Sequence, residues 1–329
     1  MQKLTIKKGI RFRMAGEPST DLTALPDARQ VAMLPARIPH IKPRLHVAEG
    51  DTVQIGSILF EDKRDPRFKF LSPGGGKIQR IQFGPRRVVE AIVIDRQNID
   101  EPWLQFPAID EKRIETMERG RLVAKILDGG LWWVFRQLPF RDLPDPESTP
   151  PLILVGLDAK EPFQPSPAVY LKDQAALLAF GLKVLRKLTS GQVVVFTGDE
   201  HHGLIDLGHD QLTHAVSGHY PSDDPGTVLY HIKTSAAENR AWYIAGQDLL
   251  MLAQLLAQGR YPIHRVVAVA GSAASVRQHY RVRLGAPLAQ LTAPQAPRDP
   301  VRFVVGGLFR GYGAAPEGFM GLYETALNI

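Results

Sequence analysis

Over the first 95 residues apolar and polar positions alternate in short stretches. Leu45, Val47, Val53, Ile55 and the run 58–60 are spaced around Glu49-Gly50-Asp51 and Gly56. Such spacing predicts short strands meeting at tight turns, where glycine takes positive φ without steric cost. A second half answers the first: 68–70, then Ser72-Pro73-Gly74-Gly75-Gly76-Lys77-Ile78, then 88–94. Two such halves close into a small flattened barrel. The period then changes. Ile114, Met117, Leu122, Ile126 and Leu127 share one helical side over 111–127, Gly129-Gly130 ends that helix, and 131–137 reads as a short second one. The apolar run 152–157 is of fully buried strand type and stops at Asp158; a mostly apolar helix follows over 173–188 and a strand over 192–196. Strand, helix, strand in that order predicts a parallel βαβ unit. Further on, 242–244 precedes a helix over 247–256 and a strand over 265–270, and short segments over 266–288 predict a small mixed sheet. The stretches 102–110 and 143–151 read as linkers, 293–300 as a proline-rich break and 301–305 as a last strand. The expected fold class is a multidomain α/β protein, with boundaries near 1–100, 101–260 and 261–329.

Composition narrows the class. The 329 residues are 44% hydrophobic and 22% charged, which excludes a disordered or collagen-like chain. No apolar run approaches the roughly 20 residues of a membrane helix. Residues 1–10 carry three lysines and no apolar stretch, unlike a secretory signal. The absence of cysteine removes disulfides, thiolate metal sites, cysteine-ligated iron–sulfur clusters and thiol nucleophiles. A cytosolic chain is expected. The net charge of +6 is unevenly placed: residues 1–90 hold 17 Lys+Arg against 9 Asp+Glu, the remainder 23 against 25. A localised positive field suits an anionic membrane surface or an acidic partner. No nucleic-acid-binding module accompanies it, and nucleic acid is not an expected partner.

Six of the ten histidines fall over 201–231, including His201-His202, yet neither His-Glu-x-x-His nor His-x-His occurs. An exposed loop without a metal is expected there. The βαβ turn Leu157-Asp158-Ala159-Lys160-Glu161-Pro162 has no glycine, so the Rossmann-like unit lacks a dinucleotide fingerprint. Gly-x-Ser-x-Gly is absent, and the pairs Glu61-Asp62 and Asp223-Asp224 sit in turn-like contexts; no catalytic residue is assigned. One cluster stands apart. Trp132, Trp133, Phe135 and Phe140 are interleaved with Arg136 and Arg141, a combination suited to clamp a planar ring bearing carbonyls, as a quinone does. The competing reading is a short helix whose tryptophans pack between domains.

Ordered pieces along nearly the whole chain now point to a family. Ile6-Lys7-Lys8-Gly9, Ala15-Gly16, Lys42-Pro43, Val47-x-Glu49-Gly50-Asp51, Leu59-Phe60-Glu61-Asp62-Lys63 and Lys69-Phe70 are followed by Gly130-Leu131-Trp132, Pro139-Phe140 and Ser148-Thr149-Pro150. Trp242-x-Ile244, Gln247-Asp248, Arg265-Val266 and Arg281-Val282-Arg283-Leu284-Gly285-Ala286 complete the set. Together they resemble the A subunits of the sodium-translocating NADH:quinone reductases. The resemblance implies a biotinyl/lipoyl-like barrel-sandwich, a Rossmann-like domain and a β-grasp domain of soluble-ligand-binding type. It implies a peripheral subunit on the cytoplasmic side of the inner membrane, beside the membrane-embedded B subunit. That subunit holds no tightly bound cofactor. Ubiquinone is the substrate, and flavins and iron–sulfur centres belong to partner subunits. The candidate quinone-facing group is the aromatic–basic cluster Trp132, Trp133, Phe135, Arg136, Phe140 and Arg141, with Lys42 and Pro43 near the entry to the barrel half. Where the family has Gly-Pro-His-Pro-Ala-Gly this chain has Ser217-Gly218-His219-Tyr220-Pro221-Ser222, and its His-x-His after Gly-Thr is here Val228-Leu229-Tyr230. The chain ends at Ile329 within what reads as a continuing pattern, so the family's C-terminal domain is expected to be missing. Two other functions fit parts of the sequence. One is a flavin- and NADH-binding dehydrogenase subunit related to respiratory complex I or the Rnf complex, against which stand the bulky tryptophans of Asp128-Gly129-Gly130-Leu131-Trp132-Trp133. The other is a biotinyl- or lipoyl-type carrier with Lys63 as its modified residue.

Overall fold

The computed structural model describes residues 1–96, 100–201, 203, 211–295 and 300–329. Near the N-terminus, Gln30–Met33, Thr52–Val53, Gly76–Phe83 and Val89–Asp95 form a four-stranded sheet. It faces a three-stranded one made of Pro43–Leu45, Ile58–Asp62 and Asp65–Leu71. Leu59, Phe60, Phe70, Ile78 and Ile92 are buried between the sheets, and Phe60 and Phe70 stack across the strand pair with centroids 4.7 Å apart. This is the flattened barrel that the turn glycines predict.

The central sheet consists of β1 (Gln2–Thr5), β2 (Arg136–Gln137), β3 (Leu152–Gly156), β4 (Gln192–Gly198), β5 (His214–Ser217) and β6 (Trp242–Ala245), in the order β1-β5-β4-β3-β6-β2. All neighbours are parallel except β6 with β2. The continuous apolar run of β3 follows from burial on both faces. Ile153 and Val155 meet helices α1 (Ala175–Leu188) and α2 (Gly246–Gln258), while Leu152 and Leu154 meet the layer of Val228 and Leu229. The chain steps from β3 to β4 to β5 on one side and then crosses to β6 on the other. The strand order therefore reverses between β3 and β6.

The third sheet runs Tyr312–Ala314, Phe303–Val305, Ala326–Asn328, His264–Ala270, Gln278–Arg283 and Leu22–Ala24, with the short helix Leu288–Thr292 falling in sequence between Gln278–Arg283 and Phe303–Val305. His264–Ala270 and Ala326–Asn328 pair in parallel at the centre. That is the β-grasp arrangement, with Leu22–Ala24 added at one edge.

Several expectations need correction. Residues 1–25, read as part of the barrel, supply β1 to the central sheet and Leu22–Ala24 to the third. The helix expected over 111–127 is two helices, Glu111–Ile114 and Arg119–Asp128, divided at Glu118, whose extended backbone (φ −67°, ψ 139°) starts the second. Residues 131–137 are a 3-10 turn, Trp132–Val134, leading into β2; five successive buried side chains, Leu131 to Phe135, leave no polar face for an α-helix. The stretch 201–231, read as one exposed loop, contains the buried strand β5 and the start of helix Pro225–Ile232, capped by Asp224. His202 and His209 lie outside the described residues.

Where barrel, linker and third sheet meet, Arg283 donates to both carboxylate oxygens of Glu101 (2.9 Å each), to Asp27 (2.7 Å) and to the Pro73 carbonyl (2.7 Å). Arg96 shares Glu101, and both guanidinium groups are buried. Glu101→Leu is expected to lower unfolding stability by about 3–5 kcal/mol, because it leaves two buried cations short of an anion. Urea unfolding of the full chain measures this.

Candidate functional site

The aromatic–basic cluster divides in space. After Gly129-Gly130 the chain turns Trp132, Trp133 and Phe135 into the core. Trp132 meets Trp242 edge-on (5.6 Å) and donates through Nε1 to the Pro144 carbonyl (2.8 Å). Trp133 stands edge-on to Tyr323 of the third domain (5.3 Å). Arg136, also buried, lies over the Tyr323 ring at 4.5 Å, and its two terminal nitrogens have no hydrogen-bond partner among the described residues. Phe140 is instead 77% exposed, and Arg141 pairs with Asp224 at the opposite end of β2. Lys42 and Pro43 are in the barrel, at the hairpin that carries Lys63. The Lys42 N–H donates to Asp62 (3.0 Å), and its carbonyl accepts from the Lys63 N–H (2.7 Å). Trp132, Trp133, Phe135 and Arg136 are thus together, and the other four are not with them.

Open parallel sheets bind ligands at the carboxyl ends of the strands where the order reverses. Here that point lies between β3 and β6, and it holds a cavity of about 130 Å³ lined by residues that include Leu157, Tyr170, Gly246, Asp248, Arg265 and Tyr323. The crevice is filled from within. The Tyr170 hydroxyl donates to the Leu157 carbonyl, and a Cβ on Gly246 would sit 2.3 Å from that hydroxyl. Arg265 donates to Asp248 in the first turn of α2 and to the Leu322 carbonyl (2.8 Å), and lies over the Trp133 ring at 5.9 Å. Burial pushes the Asp248 carboxyl up, against the pull of Arg265. Burial also raises the Tyr323 phenol, against the nearby Arg136 charge. Two guanidinium groups, one carboxylate and three aromatic faces therefore meet behind the crevice, with unused donors on Arg136. The sequence flagged Trp133 and Arg136 but not Tyr170, Asp248, Arg265 or Tyr323 as site residues. The available signal was a charge inside an apolar run, at Asp248 and Arg265, which demands a buried partner.

A second polar group occupies the ends of β3 and β4. Asp158, buried, accepts from the Gly198 N–H (2.9 Å) and meets His201 Nδ1 at 2.8 Å; Lys160 pairs with Glu200. Ligand atoms of Asp158, Glu200 and His201 lie within 4.8 Å of one another, and the ammonium of Lys160 already lies against Glu200. The hydrogen bond to Asp158 is the main cause that raises the His201 pKa above 6.5. Protonated His201 thus stabilises the fold fully below pH 6.5, and that contribution is lost as pH rises through the raised value. By NMR, His201 is expected to titrate above its ordinary value, and Asp158→Asn to bring it back to or below that value.

A barrel-sandwich, a Rossmann-like layer and a β-grasp sheet define a three-part α/β architecture whose nucleotide-type crevice is filled by the protein's own side chains. Similarity to known proteins gives the family. Residues 4–97 match the model of the NqrA N-terminal barrel-sandwich hybrid domain, and residues 117–261 that of the NqrA second alpha/beta domain. The A subunit of the Na(+)-translocating NADH-quinone reductase of Saccharophagus degradans is 31% identical over 327 residues, covering 99% of this chain and 73% of that protein. Its counterpart in Shewanella frigidimarina is 31% identical, covering 99% of this chain and 72% of its own length. The chain belongs to the NqrA family, the A subunits of these reductases. Among solved structures, an NAD+-reducing nickel–iron hydrogenase in the air-oxidised state aligns over 92% of this chain and 69% of that chain, at 10% identity and a TM-score of 0.45.

Proposed function

We propose that this chain is the peripheral A-type subunit of a sodium-translocating NADH:quinone oxidoreductase. It holds no redox centre of its own and contributes half of a quinone site, completed by a membrane-embedded B subunit on the cytoplasmic side. Ubiquinone is the substrate, and flavins and iron–sulfur centres reside in partner subunits. The observation that carries this reading is Arg136: a buried cation with two unused donors, beside the aromatic faces of Trp133 and Tyr323. A buried donor left unsatisfied costs about 1–3 kcal/mol, and more for a charged group, so a carbonyl oxygen supplied by a ligand would recover a substantial term. At about 130 Å³ the crevice is well below the roughly 300 Å³ of a typical ligand pocket, so a flavin does not fit at the switch point itself. It admits the edge of a ring, and a partner surface would cover the rest. Among the described residues no helix is long and apolar enough to cross a membrane, and the chain has no cysteine for an iron–sulfur cluster. Both fit a subunit that leaves electron carriers to others. In the assembled complex, Arg136→Met is expected to reduce labelling by a quinone photoaffinity analogue by tenfold or more, the loss of one charged hydrogen bond. The same change should leave thermal stability equal or higher, because it removes an unsatisfied charge. Unchanged labelling would overturn the assignment.

One observation favours a carrier reading. Lys63 is exposed in the two-residue turn between Ile58–Asp62 and Asp65–Leu71, the position a carrier lysine takes. Intact mass of the chain from its native cell is expected to equal the sequence mass; a biotinyl or lipoyl increment on Lys63 would move the assignment to a carrier.

A further inference from the structure

Residues 7–14, Lys-Lys-Gly-Ile-Arg-Phe-Arg-Met, carry four cations in eight positions and no acid, and every one of them is exposed. The segment is nevertheless held at both ends. The Ile10 N–H donates to the Tyr220 carbonyl (2.9 Å), and the Gly16 carbonyl accepts from the Gly271 N–H (2.9 Å). Gly16 has φ +108°, and a Cβ there would lie 2.4 Å from the Gly271 backbone, so glycine is what lets the two segments touch. The Ile6 N–H also donates to the Ser217 carbonyl (2.9 Å), so residues 7–15 form a strap between the central domain and the third domain. Phe12 rests on Phe309 (centroids 4.5 Å) and near Tyr220 (6.0 Å), which joins Ile10 and Met14 in an apolar hem 39–62% exposed.

None of Lys7, Lys8, Arg11 or Arg13 has an ion-pair partner among the described residues. The acids beside the strap are few: Glu17 lines the groove on one side, where Glu200 is paired with Lys160. The groove on the other side adds Arg302 next to Arg13. A row of unpaired cations pinned on a firm backbone, with large apolar side chains at its margin, is the pattern that an anionic headgroup layer attracts. A protein socket would be expected to order some of these side chains against neighbours of their own chain; a continuous charged plane needs none of that.

We propose that residues 7–14 form a strap by which this chain sits on an anionic bilayer, Lys7, Lys8, Arg11 and Arg13 meeting lipid phosphates directly. The inference goes beyond the reading above and does not depend on it. Vesicle binding without quinone labelling would leave the strap standing, and quinone labelling without vesicle binding would leave Arg136 standing.

The test is co-sedimentation of the full chain with vesicles of phosphatidylcholine alone and with 30% phosphatidylglycerol. Binding is expected only to the anionic vesicles, to be undisturbed by 10 mM inorganic phosphate, and to fall at least tenfold between 50 and 500 mM salt. Arg11→Glu/Arg13→Glu should lower partitioning about thirtyfold or more, from a contribution near fivefold per cation. Lys7→Glu/Lys8→Glu should act similarly. Neither pair makes a bond inside the described chain, so thermal midpoints should stay unchanged. Equal binding to both vesicle types, displacement by free phosphate, insensitivity to the charge reversals, or binding only to vesicles that carry partner subunits would each overturn the proposal.

Discussion

The arrangement of this molecule around its crevice depends on one buried ion pair. Arg265 belongs to the first strand of the third domain, and Asp248 to the first turn of α2 in the central domain. Taking both charges out of water is costly, and the cost is recovered only if each keeps its partner at good geometry. Arg265 is held by Asp248, the Leu322 carbonyl and the Trp133 face. The pair therefore fixes three things together: the approach of the third domain, the start of α2 and the turn that buries Trp133. Because it stands where the strand order reverses, the contact that orients the domains also occupies the place a nucleotide would take. Arg283 repeats the logic on the other side of the third sheet, tying it to Glu101 and Asp27.

The parts legible in the sequence were those whose signal is local. The barrel followed from alternation and turn glycines, and the β3–α1–β4 unit from an apolar run, a long apolar helix and a second run. Elements whose existence depends on distant partners were hidden. β1 is four residues, mostly exposed, and is a strand because His214–Ser217, more than 200 positions away, offers it an edge. β5 was masked by histidine and serine at its ends, although only Ala215 and Val216 need to be apolar for it to be buried. The candidate site divides in the same way. Composition singled out Arg136, but its lack of a partner is a tertiary property, set by how Tyr323 crosses it. Asp158 and His201 are 43 positions apart and meet only because β3 and β4 are parallel neighbours.

A fold built for a ligand at its switch point, yet filled there by Tyr170 and the Arg265–Asp248 pair, has changed what that surface can do. Filling leaves about 130 Å³ at the switch point, with the sheet and helices around it intact. What it does not remove is the donor capacity of the two terminal nitrogens of Arg136, which the described residues leave unspent. A buried guanidinium without acceptors is a standing cost in the isolated subunit. Under the proposed reading, an assembled complex would supply the missing oxygen, and a site divided between two subunits would give each a reason to need the other. On that same reading, a subunit that orients a carbonyl-bearing ring requires donors and aromatic walls, and the proton and electron chemistry can remain across the interface.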